Sequence, residues 1–201
     1  LDSDDWFHEE KIAIQLDEML RNPSFEISHT QEVWYRRGKL LNQKNKHRKE
    51  SGNIFQRCLA LCAVGMSTVM VKKDLFDTVG YFDELLPCCE DYDLWLRISI
   101  RHQFALIDQP LTFKRGGRPD QVSYIHRIGI DKFRIQAIEK ILKNGELTPE
   151  QYEDACRELE KKCVIYGTGC RKHGNEQEGN YYLARPDHYK NRQQRQKKKT
   201  A

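Results

Sequence analysis

The 201-residue sequence has no apolar run close to the roughly 18 residues that a membrane span needs, and no signal-peptide pattern at its start. A helical membrane span is thereby excluded, and nothing points to secretion. The seven cysteines have no regular framework of spacings, so a disulfide-stapled scaffold is excluded and a reduced, cytoplasmic compartment is expected. There is no internal repeat, which rules out a solenoid. Residues 189–201 contain no acid but hold Lys190, Arg192, Arg195, Lys197, Lys198 and Lys199. Setting those six aside takes the net charge from +4 to −2, so the body is near neutral and the basicity belongs to a tail. A nucleic-acid-binding domain would carry its charge on a folded face, and no nucleic acid partner is expected. The tail reads first as a solvated, disordered end. Its second reading is attraction to anionic lipid head groups, a peripheral contact at the inner membrane face.

Charged residues make up 32% and hydrophobic ones 38%, a balance that suits an α/β protein with one core and an appendage. Ile12, Leu16, Met19 and Leu20 give residues 8–20 an apolar helical stripe that Pro23 ends. Strand-like pieces cover 25–28 and 32–35, with Gly38 as a turn and 42–53 as a polar loop. A short helix is expected at 53–62, a buried strand at Ser67–Val71, a helix over 74–79 stopped by Gly80, and a helix over 90–101. Residues 104–113 read as one or two strands. Beyond a glycine-rich loop at 114–121 the pattern turns helical, with a stripe of Ile130, Phe133, Ala137, Ile138 and Ile141. A last helix starts at Thr148-Pro149-Glu150-Gln151, where Thr148 at the N-cap and Gln151 at N3 complete a capping box. Its stripe runs Tyr152, Cys156, Leu159, Cys163, Tyr166 and Cys170, and only partial order is expected after Gly174.

Two acidic constellations carry chemistry. Asp2 and Asp4, in Leu1-Asp2-Ser3-Asp4-Asp5-Trp6, are carboxylates one residue apart that can face one hard divalent cation, Mg²⁺ or Mn²⁺. Glu90 and Asp91, in Cys89-Glu90-Asp91-Tyr92-Asp93-Leu94-Trp95-Leu96-Arg97, fall at a helix N-terminus, whose dipole favours the ionised carboxylate a general base needs. Taken singly, each is also what an ordinary acidic loop or helix cap looks like.

In this order, and with Gly80-Tyr81-Phe82-Asp83-Glu84 and Ser67–Val71 between them, the motifs resemble glycosyltransferase family 2. The likeness runs from residue 1 to about 123, including Lys114-Arg115-Gly116-Gly117-Arg118-Pro119-Asp120-Gln121-Val122-Ser123. It implies the C-terminal half of a GT-A, Rossmann-like fold for nucleotide-diphospho-sugar transfer, followed by a helical extension. It also implies an inverting reaction that moves a sugar from a nucleotide-diphosphate donor to a saccharide or lipid-linked acceptor hydroxyl, in cell-surface polysaccharide or glycoconjugate assembly. In those terms Asp2 holds the donor, Asp4 coordinates the metal on the two phosphates, Asp91 is the base and Glu90 orients acceptor or base. Arg115 and Arg118, flanking a glycine pair, are candidates to close over the diphosphate. The Gln-x-x-Arg-Trp signature of processive synthases is missing, so a non-processive enzyme is expected. The strand that would deliver Leu1 and the βα units before it are also missing. The sequence is therefore expected to be truncated upstream, and this fragment alone to be inactive.

The cysteines at 58, 62, 156, 163 and 170 sit at helical spacings and read as core, and His126 is weighed as a third metal ligand against an ordinary histidine. The expected division is 1–123 catalytic, 124–173 helical extension and 174–201 basic tail. The competing reading is a non-catalytic helical interaction module whose basic tail binds nucleic acid or membrane. The discriminator is whether Asp4 and Asp91 converge on one cleft.

Overall fold

The computed structural model describes residues 1–144 and 146–200, apart from the side chains of Ser123 and of 191–200. It divides into two compact units, Leu1–His126 and Arg127–Ala201.

The first unit is built on a five-stranded sheet whose centre is the parallel pair β2 (Ile27–Arg36) and β5 (Phe104–Gly116). β1 (Trp6–Phe7) lies antiparallel on the outer side of β5. β3 (Lys39–Leu41) and β4 (Met70–Val71) pair antiparallel with opposite ends of β2. The two strand pieces expected at 25–28 and 32–35 are thus one strand, and 104–113 is one strand extended to Gly116. The register slips where Ile107, Pro110 and Thr112 face Thr30, Gln31 and Glu32, and this bulge accommodates a proline that cannot donate to the ladder. β2 turns into β3 through Arg37 (φ 52°) and Gly38 (φ 76°), two left-handed residues of the kind that match strand twist in a two-residue hairpin.

Helix α1 (Lys11–Arg21) departs from its apolar pattern. It buries Lys11, Gln15 and Met19 and leaves Ile12, Leu16 and Leu20 exposed. The cause is a polar anchor. Gln15 Nε2 donates to Ser28 Oγ at 3.1 Å and to the Thr68 carbonyl at 3.0 Å, and Gln15 Oε1 accepts from Lys11. Lys11 in turn lies 4.2 Å from the centre of the Phe7 ring.

The crossover from β2 to β5 carries α2 (Phe55–Ala60), α3 (Lys73–Val79) and α4 (Glu90–Ser99). The core beneath them joins Ile27, Ile54, Phe55, Leu75, Leu94, Trp95, Ile98 and Phe104. The strand expected at Ser67–Val71 is a 3-10 turn at Met66–Thr68 followed by the two residues of β4. Here the chain runs tight over the sheet: Gly65 packs on the Glu32 carboxylate, which a Cβ would strike. Thr112 Oγ1 donates to the Ser67 carbonyl at 3.3 Å. α3 stops at Gly80 (φ 77°), as expected. Arg97 of α4 then gathers the strands of this turn: Nη1 donates to the carbonyls of Val79 and Gly80, Nη2 to Tyr81 at 2.7 Å, and Nε pairs with buried Asp93 at 3.0 Å. A four-residue helix, α5 (Val122–Ile125), ends the unit.

The second unit is three helices, α6 (Ile130–Asn144), α7 (Pro149–Lys172) and α8 (Glu176–Thr200). The capping box of α7 is present: Thr148 Oγ1 accepts from Gln151 N at 3.2 Å and Gln151 Oε1 from Thr148 N at 3.0 Å. Leu159, Cys156 and Cys163 are buried as the stripe implies. α7 and α8 approach closely at two glycines, where a Cβ on Gly167 would lie 2.8 Å from the Gly179 carbonyl. Residues 176–190, expected to be ordered only in part, form the front of α8, with Tyr182 and Tyr189 buried and Lys190 paired to Glu160 at 2.8 Å. The remaining basic side chains, 192–199, lie outside the described residues, and with them the expectation of a disordered or lipid-binding tail. Among the described residues no helix is long and apolar enough to cross a membrane.

Candidate active site

The acidic loop at 2–5 is held from three directions. It closes as a turn, Asp5 N donating to the Asp2 carbonyl at 3.1 Å. Ser67, brought up by the 3-10 turn, accepts from Asp2 N at 3.0 Å and donates to Asp5 Oδ2 at 2.7 Å. Arg115 N, at the end of β5, donates to Asp5 Oδ1 at 3.2 Å. Asp5 is therefore the carboxylate that fastens the loop, and burial raises its pKa above the ordinary 3.8 despite the Ser67 hydrogen bond. Asp2 is left exposed and Asp4 half-exposed, with only a long 3.4 Å contact from Gln121 Nε2 to Asp4 Oδ2.

The second constellation stands at the head of α4. Cys89 takes a left-handed conformation (φ 64°, ψ 19°), a strained choice for a residue with a side chain, and it turns the chain into the helix. Glu90 is half-buried; burial raises its pKa above 4.5, and the charges of Asp91 and Asp2 push the same way. Asp91 is fixed through both oxygens: Oδ1 accepts from Tyr92 N at 2.6 Å and Oδ2 from the Cys62 thiol at 3.1 Å. Asp93, by contrast, is turned inward to Arg97 and is structural.

Lys114 lies within range of the acidic loop. Side chains alternate along a strand, so Lys114 shares the face of β5 that carries Thr112 against Ser67. Its register partner on β2 is Trp34, two residues beyond Glu32. Burial would lower its pKa, but Glu32, Asp5, Asp2 and Cys62, in that order of influence, raise it above 10.5. Among the described residues its ammonium makes no hydrogen bond or ion pair. Glu32, its strongest neighbour, gives one oxygen to Lys49 at 3.3 Å and Trp34 Nε1 at 2.9 Å, while the other has no hydrogen-bond partner among the described residues. The result is a half-buried cation in the field of Glu32 and of the acidic loop at 2–5.

Asp2 lies within electrostatic range of Asp5, Glu90 and Lys114, and Asp91 accepts from Cys62. Asp4 looks instead to the loop after β5, where Gln121 also holds Arg115 O at 3.1 Å and Gly117 N at 2.9 Å. Arg118 is exposed and paired with Asp120, which leaves Asp4 only a weak influence on it. Arg115 belongs to β5, and its guanidinium lies 5.4 Å from the centre of the Trp6 ring. His126 caps α5. Lys114, Cys62 and Gln121 carry no motif of their own, and sequence reasoning passed over them as site residues.

No group of three or more His, Cys, Asp or Glu side chains suited to a metal is assembled among the described residues. The donor set still fits a hard cation of the Mg²⁺ kind, which takes one or two carboxylates and completes its shell with water and substrate phosphate. Asp2 and Asp4 offer two such carboxylates with oxygens not consumed by strong hydrogen bonds. A separate cavity of about 410 Å³ in the second unit is lined by Lys132, Asn175, Gln177, Glu178, Tyr181 and Tyr182. Its charges are already matched, Glu178 receiving Lys132 and Tyr166, each at 2.9 Å.

The chain is a mixed α/β protein whose fold is similar to that of S. aureus TarS 1-349, solved in complex with UDP-GlcNAc. The TM-score is 0.63 at 13% identity, over 92% of this chain and 54% of that one. In sequence it is similar to an uncharacterized glycosyltransferase of Rickettsia felis, 36% identical over 118 residues, 56% of this chain and 18% of the relative. It is likewise similar to one of Rickettsia bellii, 33% identical over 151 residues, 73% of this chain and 21% of the relative. The chain therefore spans about a fifth of the length of these curated relatives. No family model matches it.

Proposed function

We propose that this chain carries the catalytic carboxylates of an inverting, non-processive glycosyltransferase of the GT-A type, family 2, that uses a nucleotide-diphosphate sugar. The observation that supports it most is Lys114, a cation influenced by Glu32, by Asp5 and Asp2 of the acidic loop, and by Cys62, the thiol that donates to Asp91. The relatives' names and the fold shared with a UDP-GlcNAc complex support the same reading.

In this mechanism Asp91 Oδ2 takes the proton of the acceptor hydroxyl as its oxygen attacks the anomeric carbon. The new C–O bond forms as the bond to the diphosphate breaks, on the opposite face, and the electron pair leaves with the phosphate. Lys114 meets the charge that develops there, where a preorganised cation acts most strongly. Glu90 orients the acceptor. Asp2 and Asp4 would hold Mg²⁺ or Mn²⁺, which supplies charge neutralisation for the diphosphate. The acceptor class is a saccharide or lipid-linked saccharide.

The test uses the full-length gene product with UDP-GlcNAc as donor probe and a saccharide panel, following UDP release with and without Mn²⁺. Asp91→Asn is expected to abolish transfer while donor binding persists, and Asp4→Ala to weaken metal-dependent donor binding. Wild-type turnover by Asp91→Asn would remove Asp91 as the base.

A further inference from the structure

The Cys62 thiol faces two acceptors. Its Sγ lies 3.1 Å from Asp91 Oδ2 and 3.4 Å from the Val64 carbonyl, and one S–H proton can serve only one of them at a time. It sits in the loop after α2, half-buried, while Asp91 heads α4, so the contact spans 29 residues and ties two elements together. The two oxygens of Asp91 are held unequally. Oδ1 accepts a backbone N–H at 2.6 Å, a strong bond; Oδ2 accepts a thiol, a weak donor.

We propose that Cys62 is a positioning residue for Asp91, a two-way donor that holds Oδ2 in place while the carboxylate is charged and turns to Val64 when it is protonated. This rests on Asp91 being the base. In the resting state the thiol proton points at Oδ2 and fixes the carboxylate plane. When the acceptor hydroxyl gives its proton to Oδ2, that oxygen no longer needs a donor, and the thiol rotates about its C–S bond to the Val64 carbonyl. The thiol proton stays on sulfur throughout, so the proton count of the step is unchanged. A strong donor at this position would stabilise the charged carboxylate and make it a poorer base. The thiol orients it at little cost to its basicity. Burial, reinforced by the nearby Asp91 charge, pushes the Cys62 pKa well above 9.0, which keeps the sulfur protonated and able to donate.

The inference separates Cys62 from the other cysteines. Cys58, Cys156 and Cys163 are buried, and the sequence spacing reads all of them alike as core. Geometry sets Cys62 apart from these three by its contact with a site carboxylate.

The test measures initial rates of the full-length protein with the donor probe above for Cys62→Ala, Cys62→Ser, Asp91→Asn and the Cys62→Ala/Asp91→Asn pair. Cys62→Ala is expected to lower kcat about tenfold with the donor KM within about twofold, since only the base is disturbed. Cys62→Ser, which restores a donor but a stronger one, is expected to recover part of that loss and to move the acid limb of the kcat–pH profile to lower pH. In the Asp91→Asn background the alanine change should have no further effect, because the group it positions is gone. If Cys62→Ala does not fold, Cys62→Val fills the volume without a donor and takes its place. Wild-type kcat in Cys62→Ala alongside an inactive Asp91→Asn would overturn the positioning role and leave the base standing. Equal losses in the Ala and Ser variants, additive with Asp91→Asn, would likewise overturn it. An active Asp91→Asn would instead remove the reading on which it rests.

Discussion

The hydroxyl of Ser67 donates to the Asp5 carboxylate at 2.7 Å while accepting the amide of Asp2 at 3.0 Å. One side chain, 62 residues from its partner, thus sets the shape of the acidic loop. Asp2 and Asp4 are left facing outward because Asp5 takes the structural duty.

Replacing Ser67 by alanine leaves the Asp2 amide without its acceptor and Asp5 held by Arg115 N. The expected cost is about 1–2 kcal/mol of unit stability, with weaker donor binding as the loop loosens. All three tryptophans, Trp6, Trp34 and Trp95, lie in the first unit, so urea melts followed by tryptophan fluorescence read this loss directly. Ser3→Ala, on an exposed residue of the same loop, should leave the midpoint unchanged.

Lys114→Met should raise the dissociation constant for the nucleotide-sugar donor by roughly ten- to a hundredfold, the loss of a charge-assisted contact to phosphate. Lys114→Arg keeps the charge and should fall between. Titration calorimetry on protein shown to be folded is the check, and an unchanged affinity in Lys114→Met would rule the contact out.

The acid side of the stability curve is expected to depend on His29. Its Nε2 meets the Glu50 carbonyl at 2.9 Å, so that nitrogen is the donor. Burial, with Lys49 adding to it, lowers its pKa from 6.5 to about 4. The unfolded chain takes up a proton below about 6.5 that the folded ring refuses until about 4. Stability is therefore present at neutral pH and lost as the pH falls through that window, by a total on the order of 3 kcal/mol. His29→Gln should flatten that part of the profile of urea midpoint against pH.

Thr148→Ala removes the N-cap acceptor of α7 and should cost the second unit about 1 kcal/mol. That unit has no tryptophan, so far-UV circular dichroism is the suitable probe.

The features legible in the sequence were those that local spacing determines. The capping box at Thr148, the stop at Gly80 and the start of α4 at Glu90 each depend on residues within one helical turn. α1 was legible as a helix but not in its orientation. Its apolar residues are exposed because Gln15 finds Ser28 and Thr68, partners 13 and 53 residues away that no periodicity can announce. Ser67–Val71 has strand composition, yet Gly65 must pass close over Glu32, and the chain folds into a 3-10 turn there instead. In the site, paired acids gave a readable pattern. Lys114 and Cys62 did not, since a single lysine or cysteine takes its meaning from what surrounds it. For α8 a signal was available: Tyr182 and Tyr189, seven residues apart, mark a buried helical face within a stretch whose polarity dominated the reading.

Arg97 binds the carbonyls of residues 79–81 and the Asp93 carboxylate at once, from the same helix that carries Glu90 and Asp91. The Gly-Tyr-Phe-Asp-Glu and Glu-Asp-Tyr-Asp motifs, separate in the sequence, are therefore one mechanical part. A chimera that borrows one of them from a relative should borrow the whole span from Val79 to Arg97. Splitting it would exchange a matched fastening for two halves that no longer meet. Inheritance faces the same constraint, so this span should travel between genes as a unit.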